Sequence, residues 1–253
     1  MVDELIESDL SIHSVYATGQ WIRSQGMSRL SSHGSDRKIT KFTSENISMS
    51  VSGSRSSSGE FLFHEITEAE LSMISNLSAP NKVLAIVHTP SHSLVNTELE
   101  NSLTLVLENI QDPGNLGTLI RTCDWFGIEN IILSGNSADI TNPKVVQSSM
   151  GSILRIKSHY MDLPSFLQQP EIKALPLFGA FIDGPDIYSQ ALPENGMIIL
   201  GNESRGISVE VAKLIRQRIS IPPFPGRNKS PESLNMAVAG SIIISEFRRR
   251  TSQ

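Results

Sequence analysis

From position 103 to position 250, short apolar runs alternate with stretches of helical periodicity. No other feature narrows the possible folds of this chain as much. The runs at 103–107, 130–133, 153–156, 177–181 and 197–200 are each four or five residues long, and all but 177–181 are followed directly by a polar residue or glycine. Near-continuous apolar runs of that length suit parallel strands buried on both faces. Between the first two, Leu116, Leu119, Ile120, Cys123 and Phe126 fall at i, i+3, i+4, i+7 and i+10, which predicts a helix with one apolar face ended by Gly127. Further helices are predicted at 143–149, 163–168, 209–217 and 234–249, the last with Ser233 at its N-cap, and a further strand at 219–221 stopped by Pro222-Pro223. Strands that alternate with helices assemble into a parallel, doubly wound sheet.

The preceding residues have a different texture. A strand is expected at 11–17 and a short helix at 18–25 capped by Thr18. Strands at 60–66 and 82–88 flank a helix opened by a capping box, Thr67 with Glu70 three residues on. Serine dominates 31–59, and the stretch 43–59 reads as a loop rather than core. Three regions are therefore expected: a small α/β domain over 1–92, a linker over 93–100, and the doubly wound domain over 101–253.

Composition restricts the setting. With 253 residues, 39% hydrophobic and 19% charged, the chain is ordinary for a globular protein, and it has no apolar run of the ~18 residues that span a bilayer. The start M-V-D-E-L-I-E is acidic and lacks the features of a signal peptide. A single cysteine excludes an intrachain disulfide, so a reducing cytoplasm is expected and no membrane partner. The six histidines have no metal-ligand spacing, so no metal is expected. A net charge of −5 argues against coating nucleic acid through the overall field, although Arg227 with Lys229 and the tail 248–250 offer local positive charge.

Polar residues gather where ligands bind in open α/β sheets, outside the carboxyl ends of the strands. Pro113-Gly114 forces a turn ahead of Asn115, and Arg121 lies on the polar side of the helix that follows. A helix start with nearby arginine suits an anion, although Asn115 also reads as a plain N-cap and Arg121 as a salt-bridge partner. Gly201-Asn202-Glu203 sets a polar pair at the end of the 197–200 strand. Neither G-x-G-x-x-G nor the P-loop signature is present.

The stretches D-P-G-N-L-G-T-L-I-R-T-C-D-W-F-G, L-G-N-E-S-R-G-I-S and I-P-P…E-S-L-N-M-A-V-A, in that order, resemble the three motifs of the SpoU/TrmH family. These are SPOUT-class RNA methyltransferases that modify ribose 2′-hydroxyls. The resemblance implies a C-terminal trefoil knot that holds S-adenosylmethionine, and a homodimer with its sites near the subunit interface. It implies Asn115, Arg121, Glu203, Ser233 and Asn235 as catalytic residues. Cofactor contacts would come from the backbone near Leu200, Gly201, Ile221 and Leu234. The first domain resembles the ribosomal-protein-like RNA-binding accessory of the family, shortened at its N-terminus, and the 222–233 connection is longer than in compact relatives. RNA is then the expected partner, ribosomal RNA ahead of transfer RNA. Glu203 also reads as an ion-pair or dimer residue, and Ser233 as a pure N-cap. Two rivals are a non-catalytic RNA-binding relative and an ordinary nucleotide-dependent enzyme.

Overall fold

The computed structural model describes residues 2–6, 8, 10–25, 40–42, 61–224 and 232–251. The chain divides into two units, Met1–Ser91 and His92–Gln253.

In the first unit, helix α1 (Val2–Ile6) precedes strand β1 (Ile12–Thr18) and helix α2 (Gly19–Ser24). Thr18 is the N-cap of α2, its hydroxyl accepting from the Trp21 N–H, as its residue type predicts. Strands β2 (Thr40–Phe42) and β3 (Phe61–Ile66), helix α3 (Glu68–Ile74) and strand β4 (Val83–Val87) complete it. Both halves of the expected capping box are formed: Glu70 N–H donates to Thr67 Oγ1 at 3.2 Å and Thr67 N–H to Glu70 Oε2 at 2.9 Å. The sheet runs β2-β3-β1-β4, with β1 and β3 parallel and the outer pairings antiparallel. Val15, Ala17, Trp21, Ile22, Phe61 and Phe63 form its buried core. The serine-rich loop 43–59 lies outside the described residues.

In the second unit, the stretch 93–100 expected as a linker contains helix α4 (Asn96–Glu100), whose Leu99 is fully buried in one core cluster with Val106 and Ile132. Strand β5 (Leu103–Leu107), helix α5 (Pro113–Trp125), strand β6 (Asn130–Ser134) and helix α6 (Pro143–Ser149) follow. Then come β7 (Lys157–Met161), α7 (Leu163–Leu167), α8 (Pro170–Lys173), β8 (Leu177–Ala180) and β9 (Gly196–Leu200). Helix α9 (Val209–Ala212), strand β10 (Gln217–Ile219) and helix α10 (Met236–Thr251) close the chain. All six strands are parallel, in the order β10-β8-β9-β5-β6-β7.

Strand alternation divides the core into two layers. Leu103, Leu105 and Leu107 face one layer with Leu119 of α5 and Phe247 of α10. Val106, Ile132 and Ile199 face the other with Phe166 of α7 and Val211 of α9. Chain order reverses at the β5/β9 boundary, because β6 and β7 lie to one side of β5 while β9, β8 and β10 lie to the other.

Three expectations are corrected. The apolar run at 153–156 is not a strand. Gly151, at φ 93°, leads into a 3-10 turn at Ser152–Leu154, and Ile153 and Ile156 pack on the core from there. The strand is the polar segment β7, which among the described residues pairs only with β6, at the sheet edge, and so tolerates Lys157, Ser158 and His159. The helix predicted over 209–217 ends at Ala212, and Gln217–Ile219 is already strand, so the predicted 219–221 strand starts and stops two residues earlier. The last helix begins at Met236, and its cap is Asn235 rather than Ser233.

Candidate active site

The chain leaves β9 through a tight turn. Asn202 and Gly206 exchange two backbone hydrogen bonds of 2.9 Å. Asn202 Oδ1 accepts from the N–H groups of Ser204 and Arg205, both at 3.0 Å. A Cβ on Gly201 would stand 2.2 Å from the Gly206 and Ile207 backbone, so only glycine allows the return strand so close. This turn holds Glu203 outward at the carboxyl end of the sheet.

Helix α5 supplies the facing residue. Its N-cap is Asp112, whose carboxylate accepts from the Asn115 N–H at 2.7 Å, with Pro113 at the first helical position. Asn115 is therefore not the cap, and its side chain is free for other work. Asn115 Nδ2 donates to Glu203 Oε1 at 3.3 Å. Helix α10 supplies the third member. Asn235 Oδ1 accepts from the N–H groups of Ala237 at 2.9 Å and Val238 at 3.2 Å, while its Nδ2 donates to Asn115 Oδ1 at 3.0 Å. One amide thus caps a helix with its oxygen and extends a hydrogen-bond chain with its nitrogen.

The result is a polar relay, Asn235 to Asn115 to Glu203, drawn from three separate stretches of sequence. Asn202 completes it. One of its Nδ2 hydrogens reaches Glu203 Oε2 at 3.3 Å and the other the Asn109 carbonyl at 2.9 Å. Each Glu203 oxygen therefore takes one amide donor and keeps lone pairs for a further hydroxyl.

The other two expected catalytic residues lie outside this relay. Arg121 is exposed on α5, six residues beyond Asn115, which on helical geometry puts it roughly 9 Å along the axis and about 120° around it. Its guanidinium has no hydrogen-bond or ion-pair partner among the described residues. Ser233 is exposed ahead of α10 and likewise has no hydrogen bond among the described residues. Asn202 was not singled out from sequence. Its only signal was its place beside Glu203 after a strand-ending glycine.

The residues expected around a cofactor fall at converging chain ends. Leu200 at the end of β9, Met236 at the start of α10 and the half-buried Ile221 after β10 pack in one apolar cluster. Leu234 is exposed at the rim. Apolar side chains on strand ends, with peptide groups beyond the ladders, fit a nucleoside, so this donor set suits the adenosine of S-adenosylmethionine.

Comparisons with known proteins show what the chain as a whole is similar to. The SpoU rRNA Methylase family profile matches residues 102–245. RlmP of Bacillus subtilis, named as a 23S rRNA (guanosine(2553)-2′-O)-methyltransferase, is 29% identical over 185 residues, 72% of this chain and 71% of RlmP. Three further curated relatives are matched over 53%, 61% and 54% of their own length, so the chain spans little more than half of each. A protein from Porphyromonas gingivalis assigned to the TrmH family of RNA methyltransferases superposes with a TM-score of 0.74 at 33% identity, covering 98% of this chain and 86% of that one. The SpoU methyltransferase AviRb from Streptomyces viridochromogenes, solved with AdoMet, shares the fold at a TM-score of 0.73 and 21% identity, over 100% of this chain and 88% of that one.

Proposed function

The chain belongs to the SpoU rRNA methylase family, and on that premise we propose that it transfers a methyl group from S-adenosylmethionine to a ribose 2′-hydroxyl of RNA, ribosomal RNA ahead of transfer RNA. The observation that carries this reading is the Asn235–Asn115–Glu203 relay at the carboxyl ends of β5 and β9. The family description and the name of the Bacillus subtilis relative support ribosomal RNA as the substrate.

S-adenosylmethionine supplies an electrophilic methyl group on a sulfonium. Bound there, it would give its methyl group to the ribose oxygen and leave as S-adenosylhomocysteine, with the hydroxyl proton passing by way of the Glu203 carboxylate to solvent. Holding that oxygen in line supplies much of the rate. Asn115 and Asn202 each hold one oxygen of the Glu203 carboxylate, which then accepts the hydrogen bond of the ribose hydroxyl and orients its lone pair. Arg121 carries a planar guanidinium fork that matches a phosphate, so its role is to anchor an RNA phosphate rather than to act as base. Ser233 reaches the substrate from the start of α10. Backbone near Leu200, Gly201, Ile221 and Leu234 holds the cofactor.

The finer features follow the same reading. The segment from β9 to α10 forms the trefoil knot, a reading supported by how α10 returns to pack on the core beside α5 after the chain has passed through the edge strand β10. The protein is a homodimer, for which the exposed Trp125 of α5 (85% exposed) and Val238 of α10 (48%) are apolar candidates for the interface. Residues 1–92 grip RNA, 93–100 connect, and 101–253 carry out the transfer. The protein works in the cytoplasm without a metal. Among the described residues no helix is long and apolar enough to cross a membrane.

Calorimetric titration with S-adenosylhomocysteine, alongside NAD, tests this reading. It requires saturable binding of the former at one site per subunit and none of the latter. A folded protein that binds neither, or binds NAD instead, refutes it.

A further inference from the structure

Beside the relay, over the carboxyl ends of β5, β6 and β7, lies a cleft of about 520 Å³, within the ~300–1,000 Å³ typical of small-ligand pockets. Loops 108–109, 134–136 and 161–164 and the turn 202–208 line it. It sits at the point where strand order reverses between β5 and β9, the place where open α/β sheets bind ligands. None of Leu200, Gly201, Ile221 and Leu234 lines it. Asn202 does, and the same amide holds Glu203. An occupant of the cleft is therefore one side chain, that of Asn202, away from the carboxylate of the relay.

The lining has the chemistry of a base-binding slot. Met161 and Pro164 offer apolar surface to a ring face. Glu108 and Asp162 each accept one backbone N–H, from Ser208 at 2.8 Å and Ser165 at 3.0 Å, and keep lone pairs for the N–H groups of a base edge. Ser134 donates to Asn136 Oδ1 at 2.7 Å, which leaves the Asn136 Nδ2 hydrogens unpaired among the described residues. Arg205 lines the cleft and its guanidinium has no partner among the described residues. The floor is rigid. Asn109 has φ 57°, a left-handed conformation uncommon outside glycine, held by its N–H on Ser134 Oγ at 2.7 Å and by Asn202 Nδ2 on its carbonyl.

We propose that this cleft is the subsite for one nucleobase of the substrate RNA, with Arg205 on the phosphate beside it. The proposal rests on the methyl-transfer reading, and it makes Asn136 a determinant of which nucleotide is presented to Glu203 and Arg205 the anchor of its phosphate.

The test uses the full chain, isotope-labelled for backbone amide NMR, with saturating S-adenosylhomocysteine present. The four nucleoside 5′-monophosphates are titrated in turn. The expected result is a saturable shift of the Gly135 and Asn136 amides with at least one of them. Gly135→Trp fills the cleft; a Cβ there meets nothing within 4 Å, so the fold is not challenged. That variant loses nucleotide binding and keeps S-adenosylhomocysteine binding. Arg205→Ala weakens the nucleotide by about an order of magnitude, the scale of one charge-assisted hydrogen bond. No saturable shift with any monophosphate, or unchanged binding in Gly135→Trp, overturns the proposal. Loss of S-adenosylhomocysteine binding in Gly135→Trp also overturns it, since the cleft is then the cofactor's. Failure of the methyl-transfer reading shows separately, as wild-type protein that binds no S-adenosylhomocysteine; the monophosphate titration is then run without it and still reads the cleft.

Discussion

The side-chain amide of Asn235 donates a 3.0 Å hydrogen bond to Oδ1 of Asn115, joining the starts of α10 and α5 across 120 residues of sequence. The acceptor end of the same amide caps α10. Helix-terminus chemistry and site chemistry therefore share one side chain. Any movement of the α10 start moves the Asn115 amide and, through it, the Glu203 carboxylate.

The two roles of Asn235 separate by substitution. Asp caps a helix about as well as Asn, whereas Ala costs ~1 kcal/mol at such a position. Asn235→Asp keeps the cap oxygen but loses the donor to Asn115. Its urea midpoint stays near that of the wild type, while methyl transfer falls on the order of 10²-fold, the scale of losing one preorganised hydrogen-bond donor. Asn235→Ala loses both. Equal turnover in Asn235→Asp and wild type shows that the relay is structural only.

Arg121 is exposed and has no partner among the described residues, so its removal costs the fold little. Surface changes of this kind stay within about ±0.5 kcal/mol. Arg121→Ala abolishes methyl transfer to RNA and leaves thermal stability and S-adenosylhomocysteine affinity nearly intact. Kinetics and calorimetry on one preparation check this, and normal turnover removes Arg121 from the mechanism.

Helices α5 and α6 approach each other at Gly117. A Cβ there would stand 1.9 Å from Ser148 Oγ and 2.7 Å from the Val145 carbonyl oxygen. The serine hydroxyl can rotate away, but the backbone carbonyl cannot. Gly117→Ala therefore destabilises by overpacking, about 1–3 kcal/mol, and displaces the helix that carries Asn115. Chemical denaturation measures the loss; an unchanged midpoint contradicts the close approach.

Much of this architecture was readable from the residues. Leu103, Leu105 and Leu107 face one layer and Val106 the other, and such a run announces a strand covered on both faces. The edge strand β7 did not show itself, because Lys157, Ser158 and His159 need no second layer, while Ile153 packs on the core from a turn and Ile156 is buried just after it. The α10 cap was misplaced by two residues because Ser233 and Asn235 are both good caps; their geometry decides. Its position after a strand-ending glycine marks Glu203 as one of a polar pair at a strand end, and the family resemblance singles it out from Asn202. The link from Asn235 through Asn115 was not legible, since hydrogen bonds spanning 120 and 88 residues depend on tertiary packing. The cleft beside them is made of four strand-end loops and has no local signature.

His159 gives the fold a defined acid sensitivity. Burial, then electrostatic repulsion from the neighbouring His92 and Lys157, holds its imidazole below the ordinary 6.5, and its Nε2 lies 3.1 Å from Asn130 Oδ1. A base depressed in the folded state binds more protons when unfolded, so stability is full above 6.5 and falls as pH drops from there through the folded value. Glu98 pairs with Lys157 and is held below the ordinary 4.5, so its contribution is lost only at still lower pH. Urea midpoints should therefore decline between pH 7 and 5 in the wild type and more shallowly in His159→Gln. Parallel slopes in the two proteins exclude His159 as the cause.

The central claim is that the relay-bearing site methylates a ribose oxygen of RNA. Incubation of the protein and radiolabelled S-adenosylmethionine with ribosomal RNA, followed by alkaline hydrolysis, tests it most directly, because a 2′-O-methyl group protects the adjoining phosphodiester bond. The account predicts label in an alkali-resistant dinucleotide, absent with Arg121→Ala. Label recovered on mononucleotides, which places the methyl group on a base, would contradict it.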